Sequence, residues 1–274
     1  MTSRRVLNRA AKTISRTDSK PVLGQTIGAY SERPVLPDLR QHFACVWFHW
    51  VPQDAPGQSA IVPDGCADLL WFDGGLRVAG PDRQAKTESL PPGTTVVGLR
   101  FQPGAALRWL ETPVSDIVDA RISLESFWGA EARFLAEWIG EAPTPEGIAR
   151  RLETGLAHRL PGVAPPDGVA PAIFRVVGGR RDYSIPVAHQ LEDAFGLSER
   201  TLRRRCHEAF GYGPKTLDRI LRFQRFLQLA RAAGFGGTAD LAADAGYSDQ
   251  SHLTRETRQL AGLTPNMIRE QFAR

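Results

Sequence analysis

An internal repeat in the last third of the chain limits its fold more than any other feature. The first copy reads Phe195-Gly196-Leu197-Ser198-Glu199-Arg200-Thr201-Leu202-Arg203-Arg204-Arg205-Cys206 and runs on to Gly211-Tyr212-Gly213-Pro214. The second reads Ala245-Gly246-Tyr247-Ser248-Asp249-Gln250-Ser251-His252-Leu253-Thr254-Arg255-Glu256 and runs on to Gly262-Leu263-Thr264-Pro265. At an offset of 51, Leu202 matches Leu253, Arg204 matches Arg255, Gly211 matches Gly262 and Pro214 matches Pro265. The leading glycines Gly196 and Gly246 are 50 apart, so the second turn is one residue longer. Each copy has the physics of a helix-turn-helix. A short helix ends at a glycine, which tolerates the left-handed backbone of a sharp turn. Ser198 and Asp249 are suitable N-caps for the helix that follows.

In each second helix one apolar residue, Leu202 or Leu253, faces inward while its neighbours face out. Those neighbours are Arg200, Arg203 and Arg204 in the first copy and Gln250, Ser251, Thr254 and Arg255 in the second. Helices of this kind enter the DNA major groove. There Arg suits guanine O6/N7 and Gln suits adenine N6/N7, while other members of the set grip phosphate. The bland alternative, a solvated Arg-rich face, competes well with one copy and poorly with two copies joined by the amphipathic stretch Leu217–Ala232.

Charge divides the chain along the same line. The 34 Lys and Arg against 30 Asp and Glu leave a net charge of only +4. Residues 1–20 carry a net +5, residues 21–169 a net −6 and residues 170–274 a net +5. A basic segment favours polyanions. Residues 21–110 are rich in Gly and Pro between apolar runs. Phe43–Trp50, Asp68–Phe72, Leu76–Val78 and Val96–Phe101 read as strands of a sandwich or barrel. Helical spacing begins near Pro103. Ser123 is placed to cap a helix over Leu124–Ile139, and a second helix runs Glu146–Arg159. Prolines mark a linker from Pro161 to Pro171. After it, helices are expected over 170–178, 184–195, 199–209, 214–232, 238–245, 249–261 and 265–272.

At these residues the chain resembles the AraC/XylS family of bacterial transcription regulators, over about residues 175–272. Gly246 to Arg255, closed by Gly262-Leu263-Thr264-Pro265, is similar to the family's C-terminal signature. Ser198 to Arg204 resembles its first recognition helix, and Pro214 followed by Arg219, Leu221, Arg222 and Phe223 resembles the start of its connecting helix. The resemblance implies two helix-turn-helix units held rigidly by that helix. They would read successive major-groove segments of double-stranded DNA about 34 Å apart. The chain departs from the family at Glu192, where a small Ala is usual, and at Cys206 and Thr257, which replace inward-packing aromatics. Loosened packing of the recognition helices is the expected consequence.

Three further segments resemble a sensor-like domain that often precedes this module. They are Val62 to Leu70, Gly80-Pro81 and Gly98-Leu99-Arg100-Phe101-Gln102-Pro103-Gly104-Ala105. That resemblance implies a cupin-like β-barrel followed by helices, with room for one small-molecule effector. The fold expected is therefore α+β: an N-terminal cupin-like barrel with trailing helices, then an all-α domain with two helix-turn-helix units. The expected division is a flexible basic tail at 1–20, a sensor or dimerisation domain at 21–160, a linker at 161–171 and the DNA-binding domain at 172–274. RNA polymerase and a second copy of the chain, paired through the N-terminal domain, are candidate protein partners by family tendency.

Other chemistry has weaker support. The six histidines form no metal-binding cluster of cupin type, and His42 and His49, seven apart, would face opposite sides of a strand. His252 lies on the second recognition helix, where DNA contact, capping and packing are all open. Asp64 and Asp68 look like paired carboxylates, but Pro63-Asp64-Gly65 is ordinary turn chemistry. Trp47, Trp50, Trp71 and Phe72 form either core or the lining of an effector pocket. Cys45 and Cys66 offer a redox or alkylation sensor, against the commoner role of small buried hydrophobes. An enzyme or small-molecule binder with the helical module as a docking platform is the other rival. No phosphate-binding loop, nucleophile elbow or dinucleotide fingerprint is present, and no metal or cofactor is expected. Three cysteines fit a reducing cytoplasm, no apolar run is long enough for a membrane span, and the start lacks the apolar core of a secretory signal.

Overall fold

The computed structural model describes residues 22–55, 58–232 and 237–273. The expected basic tail at 1–20 lies outside them. The first half is built on strands: β1 (Ala29–Arg33), β2 (Phe43–Trp50), β3 (Gln58–Ile61), β4 (Asp68–Phe72), β5 (Gly75–Ala79), β6 (Lys86–Ser89) and β7 (Thr95–Phe101). Helix α1 (Ala106–Leu110) and strand β8 (Arg121–Ser123) follow, then α2 (Glu125–Trp128), α3 (Ala130–Gly140) and α4 (Pro145–Arg159).

Six strands pair in the order β1-β2-β7-β4-β5-β8, all antiparallel, and β3 pairs with β6 as a separate ribbon. The region is sheet-rich and ends in helices, as expected. Among the described residues its ladder is open, with β1 and β8 as edges, and does not close into a hydrogen-bonded ring. Register decides which side is core. Val46, Leu99, Leu69, Val78 and Ile122 stand opposite one another across the sheet and share a face. That face packs with Trp109, Leu124, Ile139, Leu152 and Leu156 from the loops and helices. The opposite face carries a polar row, Cys45, Arg100, Asp68, Ala79 and Arg121, at successive paired positions.

Several local expectations need correction. The helix expected over 124–139 is two helices, because Gly129 breaks it at φ 56°. Ser123 ends β8, and its hydroxyl accepts from the Glu125 N–H at 3.3 Å without capping a long helix. Trp50 is not core, being 46% exposed, whereas Trp71 is buried. His42 precedes β2 and accepts from the Trp109 indole N–H at 3.1 Å, while His49 pairs with the Ile27 carbonyl at 2.7 Å. Both are satisfied packing histidines, and burial lowers the His42 pKa.

The second half is helical: α5 (Val169–Gly178), α6 (Val187–Phe195), α7 (Glu199–Phe210), α8 (Pro214–Ala232), α9 (Thr238–Ala245), α10 (Gln250–Ala261) and α11 (Pro265–Phe272). Helix α6 starts three residues later than expected because Pro186 cannot continue a hydrogen-bonded turn backward. The long helix α8 buries Leu217, Ile220, Phe223, Phe226, Leu227 and Ala230 at the centre of one core, which all the other helices of this half join. Leu23 and Val62 from the first half join the same core. Among the described residues, hydrogen bonds that cross between the halves include Ala85 N–H to the Leu260 carbonyl at 2.7 Å, Gln224 Nε2 to the Pro63 carbonyl at 2.6 Å and Leu23 N–H to Gln271 Oε1 at 2.8 Å. Among the described residues no helix is long and apolar enough to cross a membrane.

Candidate nucleic-acid interface

The two turns are built as their sequences require. Helix α6 ends at Gly196 (φ 62°) and α9 at Gly246 (φ 89°), both left-handed, where a Cβ is strained. Three residues separate α6 from α7 and four separate α9 from α10, so the second turn is one longer. The Ser198 hydroxyl accepts from the Thr201 N–H, and the Asp249 carboxylate accepts from the His252 N–H at 2.7 Å. Both are N-caps that satisfy donors the helix itself leaves open. Bonds from the His252 backbone and the Ser248 hydroxyl lower the Asp249 pKa.

Periodicity then sorts inside from outside. Helix α7 buries Leu202, Cys206 and Phe210, and α10 buries Leu253, Thr257, Leu260 and Ala261. The departures from the family pattern at Cys206 and Thr257 are thus still inward residues, and the Thr257 hydroxyl donates back to the Thr254 carbonyl at 3.2 Å. Arg200, Arg203 and Arg204 are exposed on α7, as are Gln250, Ser251 and Arg255 on α10. Thr254 is half-buried and commits its hydroxyl proton to the Gln250 carbonyl at 2.8 Å. Helix α7 therefore offers three guanidiniums and α10 a shorter, mixed polar set.

Not every basic residue nearby is available. Arg204 is held by Glu208 one turn on, at 2.9 Å; an exposed pair of this kind contributes about 0.3–0.5 kcal/mol and yields readily to a phosphate or base. Arg205 turns to Asp167 in the linker at 3.3 Å. Arg219 is engaged by Glu256 at 2.9 Å and by Gln259. His252 is drawn inward: its Nδ1 lies 3.2 Å from the Ser248 hydroxyl and its ring meets Tyr247 edge-on at 5.2 Å. Burial, then the Arg222 charge, lowers its pKa. It packs the turn. Two exposed cations that the sequence reading passed over are Lys215 on α8 and Arg258 on α10, the latter one turn beyond Arg255. A count of helical positions carried one turn further would have found Arg258.

The first half supplies the other candidates. Asp64 accepts from the Cys66 N–H at 3.0 Å, the turn bond its sequence predicts, and pairs with Arg100 at 2.8 Å. Asp68 accepts from the Trp47 indole at 3.0 Å and from Arg100 at 3.2 Å. The two carboxylates thus share one guanidinium and form a structural network. Burial pushes the Cys45 thiol up to about 11, and Cys66 also rises through burial, then the Asp64 charge. Such thiols are poor nucleophiles near neutrality. Among the described residues no group of three His, Cys, Asp or Glu is placed to hold a metal ion.

Comparisons with known proteins match two separate stretches of the chain. Residues 191–271 match the family described as "Helix-turn-helix domain", and residues 32–123 match "Domain of unknown function (DUF6597)". No curated protein matches the chain. Solved structures similar to it include ToxT from Vibrio cholerae O395, at 10% identity and a TM-score of 0.44, covering 78% of this chain and 93% of that one. A second crystal form of ToxT from Vibrio cholerae is similar at 10% identity and a TM-score of 0.41, over 89% and 97% of the two chains. The chain carries an AraC-type helix-turn-helix domain in its C-terminal part, behind a domain of unknown function.

Proposed function

We propose that this chain is a sequence-specific DNA-binding transcription regulator, not an enzyme, and that α7 and α10 read neighbouring major-groove segments. One observation carries the reading. Two capped helices in one helical core present Arg200, Arg203 and Arg204, and Gln250, Ser251 and Arg255, to solvent, with Thr254 beside them. Side chains of these types discriminate bases and position phosphates. We assign DNA binding to 172–274 and effector response to 21–160, with 161–171 as the joint. RNA polymerase and a second copy of the chain are the protein partners of this reading, which places the chain in the bacterial cytoplasm. Selection of bound DNA from a random pool tests it. The expected result is one recovered sequence bound more tightly than random DNA, with affinity falling steeply as salt rises. Equal affinity for selected and random DNA would refute the reading.

A further inference from the structure

Between α5 and α6 the chain forms a strap, residues 179–186, ahead of the residues that match the helix-turn-helix family. Tyr183 is the central plate of a stack within it. The Arg180 guanidinium lies 4.8 Å from its ring centroid and the Arg222 guanidinium of α8 lies 4.9 Å from it. Arg222 also lies 5.1 Å from the Tyr247 ring, which in turn meets His252 of α10. Asp218 of α8 anchors both cations, at 2.6 Å to Arg180 and 3.5 Å to Arg222. Arg180 donates to the Ile185 carbonyl at 2.6 Å, and Arg225 donates to the Arg180 carbonyl at 2.7 Å, so the strap is tied to α8 through its backbone.

The same ring closes over the second turn. A Cβ built on Gly246 would stand 2.0 Å from Tyr183 Cε2, and Arg222 donates to the Gly246 carbonyl at 3.3 Å. The first turn has no such cover: a Cβ on Gly196 meets nothing within 4 Å. One plate therefore touches α8 through its cations and the turn into α10 through its edge.

We propose that Tyr183 is a positioning residue for the second reading helix. It fixes the orientation in which α10 presents Gln250, Ser251 and Arg255, and so sets base preference under α10 alone, without touching DNA. This rests on the DNA-reading role assigned above. The Tyr183 hydroxyl also donates to the Arg180 carbonyl at 3.4 Å and accepts from Arg225 at 3.5 Å, both long bonds beside the shorter Arg225 bond to the same carbonyl. The stack itself needs an aromatic face for its two cations, so phenylalanine keeps it and leucine does not.

The test uses the full chain and the DNA site recovered by selection. Arg204→Ala and Arg255→Ala first mark which bases lie under α7 and which under α10. Affinity for single-base variants of the site is then measured for wild type, Tyr183→Phe, Tyr183→Leu and Tyr183→Ala. The expected result is a fall of roughly tenfold in discrimination under α10 for the leucine and alanine chains. Discrimination under α7 stays intact, and the phenylalanine chain behaves as wild type. If the alanine chain fails to fold, leucine and phenylalanine carry the comparison. Equal losses under both helices, no loss in any chain, or a phenylalanine chain as poor as leucine would overturn the proposal while leaving the DNA-reading role intact. A wild type that selects no sequence overturns that role, and the proposal with it.

Discussion

Gly196 and Gly246 occupy the same place in the two copies, yet replacing each with alanine should have different consequences. Both residues sit at positive φ, 62° and 89°, where an L side chain costs about 1–2 kcal/mol. At Gly196 that is the whole cost, because the new methyl meets open space. At Gly246 the methyl would stand 2.0 Å from the Tyr183 ring, which must retreat by roughly 1.4 Å to reach ordinary contact. The ring is held between Arg180 and Arg222, so retreat weakens two cation–π contacts as well as the packing. Overpacking of this kind adds about 1–3 kcal/mol. Gly246→Ala should therefore cost about 2–5 kcal/mol against about 1–2 for Gly196→Ala. Urea unfolding followed by helical circular dichroism reads the difference. A double-mutant cycle with Tyr183→Ala isolates the steric part, which should appear as a coupling of about 1–3 kcal/mol. Equal losses at the two glycines, or strictly additive effects of Tyr183→Ala and Gly246→Ala, would refute the reasoning.

Other perturbations test other parts of the argument. Arg204→Ala or Arg255→Ala should cost about 1–3 kcal/mol of binding and relax preference at one base pair if the side chain reads a base; a uniform loss in footprint affinity would assign it to phosphate. Asp218→Ala should destabilise the chain by about 3–5 kcal/mol, since it strands Arg180 (5% exposed) and Arg222 (11%), and denaturant midpoints check this. The lowered pKa of Asp249 means its cap stabilises the native chain above the unfolded carboxylate pKa, and this is lost as pH falls through the folded value. Asp249→Asn should then flatten the acid limb of the melting-temperature profile. The Cys45 thiol, raised to about 11, should resist iodoacetamide at neutral pH and react as pH approaches that value; rapid labelling near pH 7 in the native chain would revive the cysteine-sensor reading.

What the sequence revealed follows from where the determining forces lie. The recognition helices were legible because caps, glycine stops and one inward leucine per helix act within a few residues. Strands β2 and β4 were legible as apolar runs and fall where expected. Strands β1 and β6, Ala-Tyr-Ser-Glu-Arg and Lys-Thr-Glu-Ser, were not, because edge and ribbon strands carry polar side chains and take their form from pairing partners. The open edge of the sheet was hidden for the same reason, since closure depends on which strands meet. The outward residues of α7 and α10 could be counted from Leu202 and Leu253. The engagement of Arg205 by Asp167 and of Arg219 by Glu256 could not, because each partner comes from a different element.

Similar local sequence does not imply similar restraint. The turn after α7 buries Tyr212, whose phenol pKa rises through burial and then the charges of Asp64, Cys66 and Asp82 in the first half. Helix α10 meets the first half near its far end, through the Leu260 carbonyl, well away from Gln250 and Ser251. Its reading end is instead held by the strap and α8 through Tyr183 and Arg222. A shift of the sheet domain thus bears on α7 through Tyr212, likewise at the end opposite its reading residues, and midway along through the linker's Asp167 at Arg205. On α10 it bears at the end opposite the reading residues. The two copies differ instead at their first turns, where the strap's Tyr183 closes over Gly246 and no described atom stands within 4 Å of a Cβ on Gly196.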